Sequence, residues 1–296
     1  MSRFLCVGDA ALDVIVKMQT EIHIGSDTAS HISMHGGGAA ANTATWLADL
    51  GHDVYFSCRL GDDAAGRAIA AEFDEWGIEY RKEFLANEKT GVVVVLVNSV
   101  GERTMFPDSG ANSGIDERSL PPLLDFDAAF LSGYSLFNPL STSGVLRIIS
   151  TIKSANIPLI FDPASVGTMT AFGRARVLEM LPLMDIVIMN DDEARFIAAT
   201  NDVKSALSFL SSLSPLVVIK TGSSGAIAQR GGGTLIKSTT EAIEAIDTTG
   251  AGDAFAAGFM PEWLRSHDLL ESMTAGNEVA RRCVAIIGAR PSVNPK

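Results

Sequence analysis

The stretch DTTGAGDAF, Asp247 to Phe255, combines residue types that can do chemistry on an anion. Gly250 and Gly252 carry no bulky side chain, so the backbone N–H groups of Gly250, Ala251 and Gly252 can close on a phosphate. The run that follows, DAFAAGFM, is a good helix former, and a loop of free amides at the positive end of a helix is an anion cradle. Asp253 stands directly behind that loop, where a carboxylate is repelled by the anion the loop attracts. A task explains its presence: a hydroxyl attacking a phosphate must give up a proton, and Asp253 is within reach to accept it. The plainer reading, an acidic first-turn residue favoured by the helix macrodipole, accounts for Asp253 but not for the glycines before it.

A second glycine cluster, GGGAAANTA from Gly36 to Ala44, formally fits the dinucleotide fingerprint G-x-G-x-x-A through Gly36, Gly38 and Ala41. A nicotinamide-dependent dehydrogenase is therefore one alternative. That fingerprint needs a buried strand before it and an acidic residue about twenty positions on. Here the preceding SHISMH alternates polar with apolar residues, and SCRLG places Arg59 where the acid belongs. Small residues for close helix packing explain the alanines. They do not explain Asn42, a poor helix-interior residue whose amide can address a ligand hydroxyl.

The elements that must position these residues follow from hydropathy. Apolar runs beginning at Phe4, Val54, Ala128, Pro158, Ile186 and Leu216 read as buried strands. Between them, helices are predicted over Asn42 to Leu50, Ala64 to Trp76, Thr142 to Ser154, Arg174 to Leu181 and Asp191 to Ala199. Continuous apolar strands alternating with helices predict an α/β fold, a doubly wound and mostly parallel sheet covered on both faces, whose ligands gather beyond the strands' carboxyl ends. Two segments, Val14 to His35 and Lys89 to Phe106, read as β without an intervening helix and predict a small sheet projecting from a core formed by residues 1–13, 36–88 and 107–296. Pro261 is expected to end or kink the helix that starts after Gly250.

Composition narrows the function classes. The chain of 296 residues is 47% hydrophobic, ample for a packed core, and its net charge of −12 argues against a polyanionic partner, since nucleic-acid binders normally present a basic stripe. Small phosphates remain compatible, since amides hold them without a basic surface. Cys6, Cys58 and Cys283 are widely separated and read as buried small hydrophobes, with neither a disulfide scaffold nor a zinc site. No secretory leader is legible, and the longest apolar run, Val92 to Val97, is too short to span a bilayer, so a cytoplasmic protein without membrane partners is expected.

DTTGAGDAFAAGF resembles the C-terminal signature of the PfkB, or ribokinase-like, family of carbohydrate kinases, and GGGAAANTATWLADLG resembles its N-terminal signature. Further similar segments follow in order: GDAALD at Gly8, RLGDDAAG at Arg59, TGVVVVLV at Thr90, GER at Gly101, GAN at Gly110, NDDEA at Asn190, KTGSSG at Lys220 and GARPSV at Gly288. The resemblance spans essentially the whole chain. It implies a small β lid over a sugar site and transfer of the γ-phosphate of ATP to a hydroxymethyl group. Asp253 would be the base, with Gly250, Ala251 and Gly252 as the anion hole. Asp13 and Asn42 would hold substrate hydroxyls above a backbone wall of Gly37 and Gly38. Asn190 and Glu193 would organise Mg²⁺ through water, while Thr221, Gly222 and Gly225 would flank the adenine with Asn277 opposite. Asp247 and Ser292 fall where several members hold a monovalent cation such as K⁺. The lid also implies a homodimer, for which the alternating strand Ser30 to His35 is suited.

Each implied role has a plainer competitor: a turn residue for Asp13, a helix cap for Asn190 and Glu193, an exposed helix position for Asn277. Two departures bear on the substrate. Ala39 stands where ribokinases carry a lysine, which counts against ribose, and DPAS at Asp162 departs from the D-x-N-x-R of ketosugar kinases and is similar to pseudouridine kinases, which keeps a nucleoside open. A catalytically silent sugar- or nucleotide-binding protein is the remaining alternative, and the intact aspartate counts against it.

Overall fold

The computed structural model describes residues 1–98, 101–241 and 243–292; Ser99 and Val100 of the predicted small sheet, Ala242, and residue 293 of the last resembling segment lie outside the described residues. A nine-stranded sheet dominates. In spatial order its strands are Ile236–Ser238, Ala226–Arg230, Leu216–Lys220, Ile186–Asn190, Leu159–Asp162, Ala128–Ser132, Arg3–Val7, Asp53–Ser57 and Glu79–Tyr80. From Leu216–Lys220 to Glu79–Tyr80 they run parallel, and the remaining two extend the edge antiparallel. Alternation along a strand feeds two cores, one on each face. Phe4 and Cys6 enter one while Leu5 and Val7 enter the other; Ile186 and Ile188 likewise part from Val187 and Met189. Burial on both faces is why these strands read as unbroken apolar runs.

The parallel strands end on the same side, which brings Asp162, Asn190 and Lys220, each the last residue of its strand, to one rim of the sheet. Above that rim lies a separate four-stranded sheet in the order Ser30–Gly37, Ala11–Met18, Gly91–Val97, Arg103–Asp108. Its strands start before Val14 and run past Phe106, because the register pairs Ala11 with Gly37 and Val92 with Asp108.

The strand Ser30–Gly37 is therefore a half-exposed edge strand of this small sheet and not part of a buried parallel one. That overturns the dinucleotide reading of Gly36 to Ala41, which requires a buried strand leading into the helix. Arg59 has a structural task instead, donating to Ala111 O, Gly114 O and Glu88.

Helix Ala39–Asp49 has Gly38 at its N-cap with no side chain of its own to cap it; Asp9 Oδ2, from the neighbouring segment, accepts from Ala39 N at 2.8 Å and satisfies one first-turn donor. Helix Ala251–Ser266 does not end at Pro261: it continues through the proline to Ser266. Phe255, Phe259 and Trp263 stack in sequence along one side of it, and the helix packs against Leu269–Val284, so tertiary contacts offset the lost backbone bond.

Candidate active site

A cavity of about 1200 Å³ opens between the rim of the large sheet and the inner face of the small one. Of the residues singled out from the sequence, Asp13, Gly38, Asn42, Asn190, Glu193, Asp247, Gly250, Gly252 and Asp253 line it. Gly37, Ala251, Thr221, Gly222, Gly225, Asn277 and Ser292 lie outside its lining.

Its floor is the start of helix Ala251–Ser266. Gly250 is the N-cap, in the left-handed region at φ 76°, and a Cβ there would lie 2.6 Å from Ala289 Cβ, so both backbone conformation and space demand glycine. Helical bonding begins with Ala254 N donating to Gly250 O. The amides of Gly252 and Asp253 belong to the first turn, where no i−4 acceptor exists.

Asp253 is the acid of this floor. Burial pushes its pKa up to about 8; Asp162 and Asp9 add to the rise, while the Asn42 hydrogen bond and Lys220 oppose it. A free aspartate is a feeble base, but one raised to this range is matched to proton transfer near neutral pH. Its orientation is set by a chain of hydrogen bonds. Asn42 Nδ2 donates to Asp253 Oδ2 at 2.8 Å, and Arg290 Nε donates to Asn42 Oδ1 at 3.0 Å, which fixes the amide's direction. Arg290, itself buried, also donates to Glu72 at 2.7 Å and to Gly37 O at 2.6 Å. Gly37 packs so closely on Asp13 that a Cβ would lie 2.2 Å from its Oδ1. Asp13 is pushed up to about 6 by burial, with Arg290 opposing and Asp9 reinforcing.

A cation stands over the cradle. Lys220 Nζ lies 2.8 Å from where a Gly252 Cβ would be, and 2.7 Å from Asp162 Oδ2. Burial disfavours its charge, but Asp162 and Glu193 more than offset this and raise its pKa. Asp162 is held in turn by Ala164 N at 2.8 Å.

Asn190 and Glu193 form a reciprocal capping box at the start of helix Asp191–Ala198: Asn190 Oδ1 accepts from Glu193 N, while Asn190 N and Nδ2 donate to Glu193. Burial, then Asp162, raises the Glu193 pKa against Lys220 and the Asn190 bonds. Each of its carboxylate oxygens accepts one of those bonds and keeps a further lone pair, and Glu193 lines the cavity. Among the described residues no group of three or more His, Cys, Asp or Glu side chains could hold a metal ion. Glu193 and Asp162 put two carboxylates on the cavity lining, the number on which Mg²⁺ usually binds when waters complete its shell.

Gly225 and Asn277 meet at Ser238: Asn277 Nδ2 donates to its Oγ at 3.1 Å, and a Gly225 Cβ would lie 2.2 Å from its carbonyl. Asn277 is buried, not exposed. Thr221 closes the same loop, its N and Oγ1 donating to Gly225 O. Asp247 accepts from Thr249 N, Gly288 N and Arg103; although burial opposes it, these bonds hold its pKa below the ordinary carboxylate value. Ser292 is exposed.

Sequence reasoning assigned no role to Lys220, Asp162, Arg290 or Arg103. The available signals were a lysine closing the apolar run LVVIK, and arginines inside the GARPSV and GER segments.

The chain is similar to the ribokinase of Arabidopsis thaliana, 27% identical over 97% of this chain and 77% of the relative. Aminoimidazole riboside kinase of Salmonella typhimurium is 26% identical over 98% of this chain and 91% of its own. Among solved structures, adenosine kinase of Sinorhizobium meliloti superposes with a TM-score of 0.89 at 23% identity, covering 99% of this chain and 96% of that one. Fructokinase of Vibrio cholerae, solved with fructose, ADP and calcium ion, gives 0.82 at 24% identity over 98% and 94%. At those identities the superpositions speak for the fold, and no helix among the described residues is long and apolar enough to cross a membrane. Residues 1–296 match the profile described as pfkB family carbohydrate kinase, and the chain belongs to that family of phosphotransferases acting on an alcohol group.

Proposed function

We propose that this kinase transfers the γ-phosphate of ATP to a hydroxymethyl group of a sugar or nucleoside bound in the 1200 Å³ cavity, with Asp253 as base and the Gly250–Gly252 amides as anion hole. The observation that carries the reading is the juxtaposition of an aspartate pushed up to about 8 with a glycine-lined helix start and a buried lysine. Phosphoryl transfer asks mainly for positioning and charge stabilisation. The acceptor hydroxyl gives its proton to Asp253 as its oxygen bonds to the γ-phosphorus, and the bond to the bridging oxygen breaks with its electron pair leaving on ADP. Amides of the loop and Lys220 take up charge on the phosphoryl oxygens. Asp13 and the Gly37–Gly38 backbone orient the acceptor, and the second N–H of Asn42 is free to join them. Thr221, Gly222, Gly225 and Asn277 form the adenine side. Asn190 and Glu193 would hold Mg²⁺ through water, where it would neutralise further phosphate charge.

The test is a screen of pentoses, hexoses, ketosugars, keto-acids and nucleosides with MgATP, reading ADP release. Acceptor-dependent release with one chemical class is expected. ATP binding without release for any acceptor supports a silent binding protein instead.

The small sheet serves in this reading as the lid, and its outer face as a dimer surface. Register and strand alternation put Val14, Val16, Met34, Val94 and Phe106 on the side away from Asp13, with Met34 and Phe106 exposed. Wild-type protein is expected to scatter light as a dimer and the double variant Met34→Glu, Phe106→Glu as a folded monomer; a monomeric wild type contradicts this surface.

A further inference from the structure

We infer that the Arg103 guanidinium takes the place a monovalent cation would hold beside the anion cradle, so that this kinase works without potassium; the inference rests on the reading of Gly250–Gly252 as the phosphate site. Arg103 begins an edge strand of the small sheet and lines the same cavity as Asp247, Thr249 and Asp253. From there it reaches across: NH2 donates to Asp247 Oδ1 at 2.6 Å, and NH1 donates to Thr249 Oγ1 at 2.5 Å. These partners are the residues that lead into Gly250.

The donor set around Asp247 does not fit a bound K⁺. Oδ1 already accepts from Arg103 and from Thr249 N at 2.8 Å, and Oδ2 accepts from Gly288 N at 3.1 Å. A monovalent ion coordinated by this carboxylate would stand against a full positive charge in direct contact with the same group. Ser292, the other residue expected at such a site, is exposed and outside the cavity lining. The Arg103–Asp247 pair is not an ordinary surface ion pair, since the side chains are 29% and 9% exposed, so it is screened less than one in open solvent. Guanidinium also suits the position, because it offers two parallel N–H donors where the loop presents a carboxylate and a hydroxyl. What a bound ion would do for the loop, balancing Asp247 and bracing the turn before Gly250, this side chain does from the lid.

The experiment follows thermal unfolding in KCl against tetramethylammonium chloride at equal ionic strength. Wild type is expected to show no potassium-specific shift. Arg103→Ala frees the carboxylate and is expected to gain a potassium-specific rise of about 2 °C once the ion exceeds its Kd roughly tenfold; Arg103→Gln keeps the side chain's bulk and tests the same point if alanine impairs folding. In the ADP-release assay, K⁺ should restore turnover to Arg103→Ala and leave wild type unchanged. A potassium-specific rise in wild type overturns the inference, and so does a folded Arg103 variant that gains none. Should wild type turn over no acceptor at all, the kinase reading fails, and the unfolding comparison still decides the cation question.

Discussion

Asp253→Asn is expected to leave the chain folded while lowering kcat by about 10²–10⁴-fold, the range over which a positioned base contributes. Asparagine preserves the shape and the contact with Asn42 but cannot take the acceptor's proton. Two pH measurements separate this from a loss of packing. With a pKa of about 8 in the free protein, Asp253 is protonated through most of the neutral range, so kcat/KM of wild type should climb with pH toward that value and level above it. The stability effect has the opposite sign. The folded pKa lies above the unfolded value of about 3.9, so the native state binds the proton more tightly, and the associated stability is present below about pH 4 and lost as pH rises toward 8. Asparagine, neutral throughout, escapes that loss. Asp253→Asn should therefore melt above wild type at about pH 8.5 and beside it at low pH, even though it is nearly inactive.

Lys220→Met is expected to lower turnover by about 10²–10³-fold, the usual effect of removing one preorganised charge from a transition state. It also leaves Asp162 without its counter-ion. The pair's side chains are 14% and 7% exposed, so the loss is expected to cost about 3–5 kcal/mol of stability. Adding Asp162→Asn removes the stranded charge and should recover most of the melting temperature without recovering turnover. Recovery of both would mean that Lys220 serves only the fold.

Much of the architecture was legible because the signals are local. Each buried strand shows its own apolar run, and helix Thr142–Ser154 matches the predicted limits residue for residue. Elements with little apolar surface left no such trace: Glu79–Tyr80 is two residues long, the antiparallel edge strand Ile236–Ser238 is three, and its neighbour Ala226–Arg230 carries polar residues at its end. Pro261 misled because the packing that carries the helix through it comes from Leu269–Val284, which local propensity ignores.

The candidate site was legible where its residues are sequence-local, as in the glycines and aspartate of Gly250 to Asp253. Contributions assembled by the fold were not. Asn42 reads as a ligand residue, but that Arg290, 248 positions away, orients its amide toward the Asp253 carboxylate is visible only in the fold. Lys220 reads locally as a strand's solvated end; only the convergence of parallel strands places it over Gly252.

Diffraction from crystals grown with Mg²⁺, a non-hydrolysable ATP analogue and an accepted alcohol puts the most direct question to this account. Density for the terminal phosphate on the amides of residues 250–252, with the acceptor oxygen about 2.6–3.2 Å from the Asp253 carboxylate, is the result predicted. A terminal phosphate seated away from that helix start, out of reach of Asp253, contradicts it.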